Sequence, residues 1–384
     1  MPFDLTQYKE QLARLVAQPS VSCGVASWDM SNAGVIDQLA TYFSELGFTV
    51  QRQQLAQQGK VNLIATYGQG DGGLVLAGHT DTVPYDQNRW QTDPFKLTEV
   101  DGKLFGLGAT DMKGFFPVIL AAVKDFLDQP FNHPLIVVAT ADEESSMNGA
   151  RALTSHQLGA KPRAAIIGEP TALKPIRAHK GILMESIRVQ GQAGHSSNPA
   201  LGKNALESMT LVMNELMSFR SELQTRYKNP AFAVQTPTLN LGCIHGGDGA
   251  NRICGECELH FDLRLLPGMD SDEIRTAIRK RLMPIAEING TDIVLSSLFE
   301  GVEAFDEPAT SELVNICENL TGFTAETVAF ATEAPFMQTL GMQTVILGPG
   351  SIDQAHQPNE FISIDQLEPA VKMVQALIKK YCID

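Results

Sequence analysis

The chain has 384 residues, 43% hydrophobic and 19% charged, which excludes a fibrous or disordered protein and makes two globular domains the natural division. Its formal charge of −15, with no Lys/Arg cluster to offset it, argues against a nucleic-acid groove. No apolar stretch reaches the roughly 20 residues needed to cross a bilayer, so no membrane partner is expected and the cytoplasm is the expected compartment.

Residues 1–10 lack a basic segment followed by an apolar run, and they read as an amphipathic first helix, not a secretion signal. A second helix is expected over 37–46. Strands are expected at 63–67, 74–78, 135–140 and 164–168, with an amphipathic helix over 115–127. Such alternation marks a mixed, mainly parallel α/β sheet flanked by helices. From about 181 to 293 the pattern changes to strand (182–189), helix (204–223), strand (238–244), strand (253–266), helix (271–287) and strand (291–298). This β-α-β-β-α-β order predicts a ferredoxin-like α+β domain inserted into the first, so that 1–180 and 294–384 form one domain and 181–293 the other. A last buried strand at 344–347 and a closing helix over 367–381 complete the larger domain.

The six cysteines, Cys23, Cys243, Cys254, Cys257, Cys317 and Cys382, are scattered and predict no disulfide framework. Cys254 and Cys257 open the alternating run 253–266. On a continuous strand residues three apart face opposite sides, so no structural zinc is expected there. The glycines of Gly106-Leu107-Gly108 and Gly246-Gly247-Asp248-Gly249 lack the spacing of a phosphate loop.

Four of the expected strands end in metal-ligand residue types. The run 74–78 leads to His79-Thr80-Asp81, and 135–140 to Asp142-Glu143-Glu144. The run 164–168 leads to Glu169-Pro170, and 344–347 reaches His356 through Gly348-Pro349-Gly350. Asp111 precedes the 115–127 helix. Alone, each has an ordinary explanation as a hydrogen-bonded histidine, a helix cap or a solvated carboxylate. Together they would meet at the carboxyl rim of one sheet, where open α/β proteins bind ligands. Imidazole and carboxylate are zinc ligands. One consistent division gives His79 and Glu169 to one ion, Glu144 and His356 to another, and Asp111 to both. Asp81 is placed to orient the His79 ring, and Glu143 to act as a base.

The runs His79-Thr80-Asp81-Thr82-Val83-Pro84, Gly108-Ala109-Thr110-Asp111-Met112-Lys113-Gly114, Ala141-Asp142-Glu143-Glu144, Gly168-Glu169-Pro170 and Gly194-His195-Ser196-Ser197 resemble the M20 metallopeptidase and deacylase family in order and spacing. The resemblance implies two Zn2+ ions, replaceable by Co2+, held by His79, Asp111, Glu144, Glu169 and His356. It further implies Glu143 as general base, Asp81 as the residue orienting His79, and a cis peptide after Asp111. It implies a homodimer formed through the inserted domain, with His195 stabilising the oxyanion in the partner's site. The expected reaction is removal of an acyl group from a small N-acyl amino acid. An acetylated ornithine of the arginine pathway is the expected substrate, with succinylated diaminopimelate, other acylated amino acids or a short peptide as alternatives. Arg252 is expected to bind the substrate carboxylate, since a guanidinium fork matches it. Glu333 is expected near the side-chain amine.

Overall fold

The computed structural model describes residues 3–384, so the first two positions of the opening segment lie outside the described residues. The opening helix is Leu5–Val16, and the side chain of Asp4 caps it by accepting the Gln7 N–H. Two compact units divide the chain. The larger holds the chain up to Arg177 with Glu307–Glu326 and Glu333–Asp384, and the smaller holds Ala178–Asp306 with Thr327–Thr332. Among the described residues no helix is long and apolar enough to cross a membrane.

The larger unit is built on strands β1 (Thr49–Gln54), β2 (Val61–Tyr67), β3 (Leu74–His79), β4 (Leu135–Thr140), β5 (Ala164–Ile167) and β6 (Gln343–Ile346), in the order β1-β2-β4-β3-β5-β6. The pairs β4/β3, β3/β5 and β5/β6 are parallel, whereas β1/β2 and β2/β4 are antiparallel. Every residue of β3, β4 and β5 is buried. Parallel strands covered on both faces need such unbroken apolar runs, and for that reason these three were plain in the sequence. Because β3 to β6 run the same way, their carboxyl ends share one rim.

The helix Phe115–Val123 continues as a short 3-10 turn over Lys124–Phe126, and eight of its nine residues are buried. Its close seat on the sheet requires Gly168, where a Cβ would come within 2.0 Å of the Phe115 ring. The last helix, Leu367–Ile378, packs beside it in the same apolar core.

In the smaller unit, strands Thr238–Gly246, Glu256–Leu265, Gly181–Gln190 and Asp292–Ser297 form an antiparallel sheet in that order, with helices Ala205–Arg226 and Ser271–Asn289 packed on one face. This is the ferredoxin-like order. The unit is wider than the predicted insert 181–293, taking in Phe305–Asp306, which pairs with Ala178–His179, and a bridge between Ile182 and Val302. Pairings this short leave no periodic trace in a sequence. The expected strand 253–266 is also broken. Arg252–Ile253 pairs with Gly194–His195, and the main strand begins only at Glu256. Across that break Cys254 and Cys257 do not face opposite sides. Both are buried in one apolar cluster, near Gly247 and Gly246 respectively.

Candidate metal centre

Five of the predicted residues come together at the rim of the β3–β6 strands. Within the described residues, His79, Asp111 and Glu169 form one group whose possible ligand atoms lie within 4.8 Å of one another, and Asp111, Glu144 and His356 form a second. Asp111 belongs to both. Its Oδ1 lies 3.0 Å from His79 Nε2 and its Oδ2 lies 3.5 Å from His356 Nε2. Glu144 Oε2 is 2.9 Å from His356 Nε2, and Glu169 Oε1 is 3.8 Å from His79 Nε2. The peptide bond between Asp111 and Met112 is cis.

The local backbone explains how adjacent residues reach different places. His79 is the last residue of β3, and its Nδ1 lies 3.0 Å from the main-chain oxygen of Asp81. A carbonyl can only accept, so Nδ1 carries a proton, and Nε2 donates to Asp111; burial opposes the charge on this imidazole, but the Asp111 hydrogen bond and the Glu169 and Asp111 charges raise it well above 6.5. The orienting partner is thus the Asp81 backbone; its carboxylate, expected in that part, is 3.7 Å away. That carboxylate instead accepts the N–H groups of Glu143 at 3.3 Å and Glu144 at 3.1 Å, and so fixes the turn after β4. Asp142 starts this turn at φ 61°. Its side chain is held by Lys60 Nζ at 2.6 Å and Ser22 Oγ at 2.9 Å, which stabilise an otherwise disfavoured conformation.

Glu360, not among the predicted site residues, proves central to the Asp111 loop. Its buried carboxylate accepts the N–H groups of Gly108 (3.0 Å), Thr110 (2.7 Å) and Asp111 (3.0 Å). In the sequence it is one acidic residue four positions after His356, and nothing there reveals that three amides converge on it.

The charge pattern favours a cation. Burial and the charge of Glu169 push the Glu143 carboxyl well above the usual range, and burial and Asp111 do the same to Glu169. Glu144 is raised by burial and by Asp111. Burial opposes ionisation of Asp111 too, but the hydrogen bond and charge of His79 hold it low. The hydrogen bond to Glu144 raises the His356 imidazole to about 9. Glu144 Oε1 and Glu169 Oε1 are buried without a hydrogen-bond partner. Crowded carboxylates, orphaned oxygens and an Nε2 fixed towards Asp111 fit two divalent cations sharing Asp111, whose binding would displace the Nε2 proton.

The remaining predicted residues are Glu333, His195 and Arg252. Glu333, in the larger unit, is fully buried, and burial lifts its carboxyl to about 7 against a partial offset from the Thr140 hydroxyl. It is close enough to raise both Glu143 and Glu169. His195 and Arg252, in the smaller unit, are cross-strand neighbours. His195 Nδ1 accepts the Ser197 N–H at 3.2 Å, which puts the ring proton on Nε2 as an outward donor. Arg252 is exposed and paired with Asp248.

Comparison with known proteins identifies the family of the chain. Over its full length the chain is 46% identical to acetylornithine deacetylase of Proteus mirabilis, covering 99% of that protein. It is also 46% identical, over 383 residues, to acetylornithine deacetylase of Pectobacterium atrosepticum. Among solved structures, a Staphylococcus aureus tripeptidase superposes with a TM-score of 0.74 at 20% identity, covering 98% of both chains. A Bacillus cereus aminopeptidase gives 0.76 at 19% identity, covering 98% of this chain and 99% of that one. Residues 75–380 match the profile of peptidase family M20/M25/M40, and the chain belongs to that family.

Proposed function

We propose that this protein hydrolyses N2-acetyl-L-ornithine to L-ornithine and acetate in arginine synthesis. The full-length identity of 46% to two acetylornithine deacetylases carries this reading. The two ligand groups joined by Asp111 support the metal dependence. The likeness to the two peptidases is under 25% identical and bears on the fold alone.

The ligands are assigned as His79 and Glu169 for one Zn2+, Glu144 and His356 for the other, and Asp111 for both, with Co2+ as a workable substitute. Such a pair supplies an acidified water and a polarised carbonyl. Glu143, held beside the ligands but not among them, takes the proton of the attacking water. The water oxygen bonds to the acetyl carbon, the C–N bond breaks, and Glu143 returns the proton to the leaving nitrogen. The Asp81 carboxylate keeps Glu143 in place by accepting the Glu143 N–H. His195 presents an Nε2 donor suited to the oxyanion in the partner's site, and its neighbour Arg252 is assigned to the α-carboxylate. Glu333 is assigned to the substrate amine.

A homodimer through the smaller unit belongs to the same proposal. Its support is the row of exposed apolar side chains on the helix Ala205–Arg226 of that unit, Leu206, Leu211 and Met217.

The test is hydrolysis of N2-acetyl-L-ornithine beside N-succinyl-diaminopimelate, N-acetyl-methionine and a dipeptide, before and after chelation and after return of zinc or cobalt. A chelator-sensitive preference for acetylornithine is expected. Preference for another substrate overturns the substrate, and absence of metal-dependent turnover overturns the reaction. In the same panel Arg252→Leu raises KM, and Glu333→Gln harms the cationic substrate more than the neutral one.

A further inference from the structure

The strand Thr238–Gly246 is irregular. Its register against Glu256–Leu265 shifts between Leu241 and Cys243, which makes Gly242 the extra residue of a β-bulge. Leu239 and Leu241 stand opposite Leu263 and Phe261, in the apolar core under the helices. By the two-residue period of a strand, Cys243 would follow them inward. The bulge turns the chain over, as bulges do when they re-aim side chains. Cys243 then stands opposite His260, and His245 opposite Glu258, on the polar face of the sheet.

These four side chains make a two-by-two array. Cys243 Sγ lies 2.9 Å from His245 Nε2, and His260 Nε2 lies 3.0 Å from Glu258 Oε1. The two imidazole rings are 6.5 Å apart at 77°. Glu258 is itself fixed by Ser186 Oγ at 2.6 Å. In a chain with only 6 cysteines and 8 histidines, one Cys and two His meet here, in the smaller unit, whereas Asp111 and its ligand groups belong to the larger.

We propose that Cys243, His245 and His260 bind a thiophilic divalent cation such as Zn2+ at a site separate from the catalytic one. Thiolate and imidazole are its preferred ligands. Glu258 holds the Nε2–H of His260 and leaves Nδ1 for the ion, the carboxylate–histidine–metal arrangement that fixes a ligand ring. Binding releases the Cys243 thiol proton to solvent. The ligand atoms are more widely spaced than in the two groups around Asp111. Ligation requires the exposed Cys243 and His245 side chains to rotate towards His260.

The whole protein loaded with Co2+ tests this. Thiolate ligation gives a near-ultraviolet charge-transfer band, and the catalytic groups contain only imidazole and carboxylate. The wild type is expected to show the band beyond the catalytic equivalents of metal. Cys243→Ser should abolish it while keeping acetylornithine turnover. His245→Ala and His260→Ala should each weaken the cobalt affinity of the band by about tenfold or more. No band in the wild type overturns the proposal. So does a band that survives Cys243→Ser, or one whose affinity neither histidine substitution changes.

Discussion

Glu143 and Glu144 are adjacent, and Glu144 is the one placed 2.9 Å from His356. Asp81 accepts both their N–H groups and so fixes the turn from which the two side chains extend. Glu143→Gln keeps the shape and removes the proton acceptor. The expected result is a fall in kcat of about 10²–10⁴ with metal content unchanged. Loss of metal along with activity would make Glu143 a ligand instead. Glu360 acts on the metal groups only through the backbone, by gathering the amides of Gly108, Thr110 and Asp111. Glu360→Gln exchanges an acceptor oxygen for a donor against those amides. Equilibrium dialysis should show cation binding weakened by about 10–100-fold, the cost typical of losing a supporting hydrogen bond. Unchanged binding would reduce Glu360 to a loop anchor.

At the scale of elements, the buried parallel strands were legible because their environment demands apolar residues at every position, and their ends were found within a residue or two. What the sequence hid were local departures from regularity. The break at Cys254-Gly255 and the bulge at Gly242 each rest on a single glycine, and a glycine is equally at home in a strand, a turn or a bulge. The residues that meet in the two candidate ligand groups were legible as types, mostly at strand ends, but Glu360 was not, since it contacts main-chain amides. His179 was hidden for a similar reason. It closes the strand Ile176–His179, with Nδ1 bonded to Lys180 O at 2.9 Å and Nε2 accepting the Thr332 N–H at 3.2 Å. Burial pushes this imidazole from 6.5 down to about 4. Between those values the unfolded chain binds a proton that the folded chain refuses. Stability is therefore full above about pH 6.5 and is lost as pH falls towards 4, by up to about 1.4 kcal/mol per pH unit. Urea midpoints of wild type and His179→Gln over this window should show a shallower pH slope in the variant. Parallel slopes would contradict a neutral buried His179.

For the whole molecule, the order of elements was enough to separate an α/β unit from a ferredoxin-like one, while the exact limits of each depended on short pairings such as Phe305–Asp306 with Ala178–His179. Inside the larger unit, the two ligand groups differ in their access to water. The side chains of His79 and Glu169 are 1% and 6% exposed, whereas that of His356 is 55% exposed. His356 also sits in a loop at φ 58°, outside any strand. The two positions should therefore trade ions with the medium at different speeds. Chelator added to the loaded protein is expected to strip it in two kinetic phases, the fast one disappearing in His356→Ala. A single phase in the wild type would show that burial does not govern the exchange. With two phases, trace metals in the medium would reset one position while the other keeps the ion it acquired first.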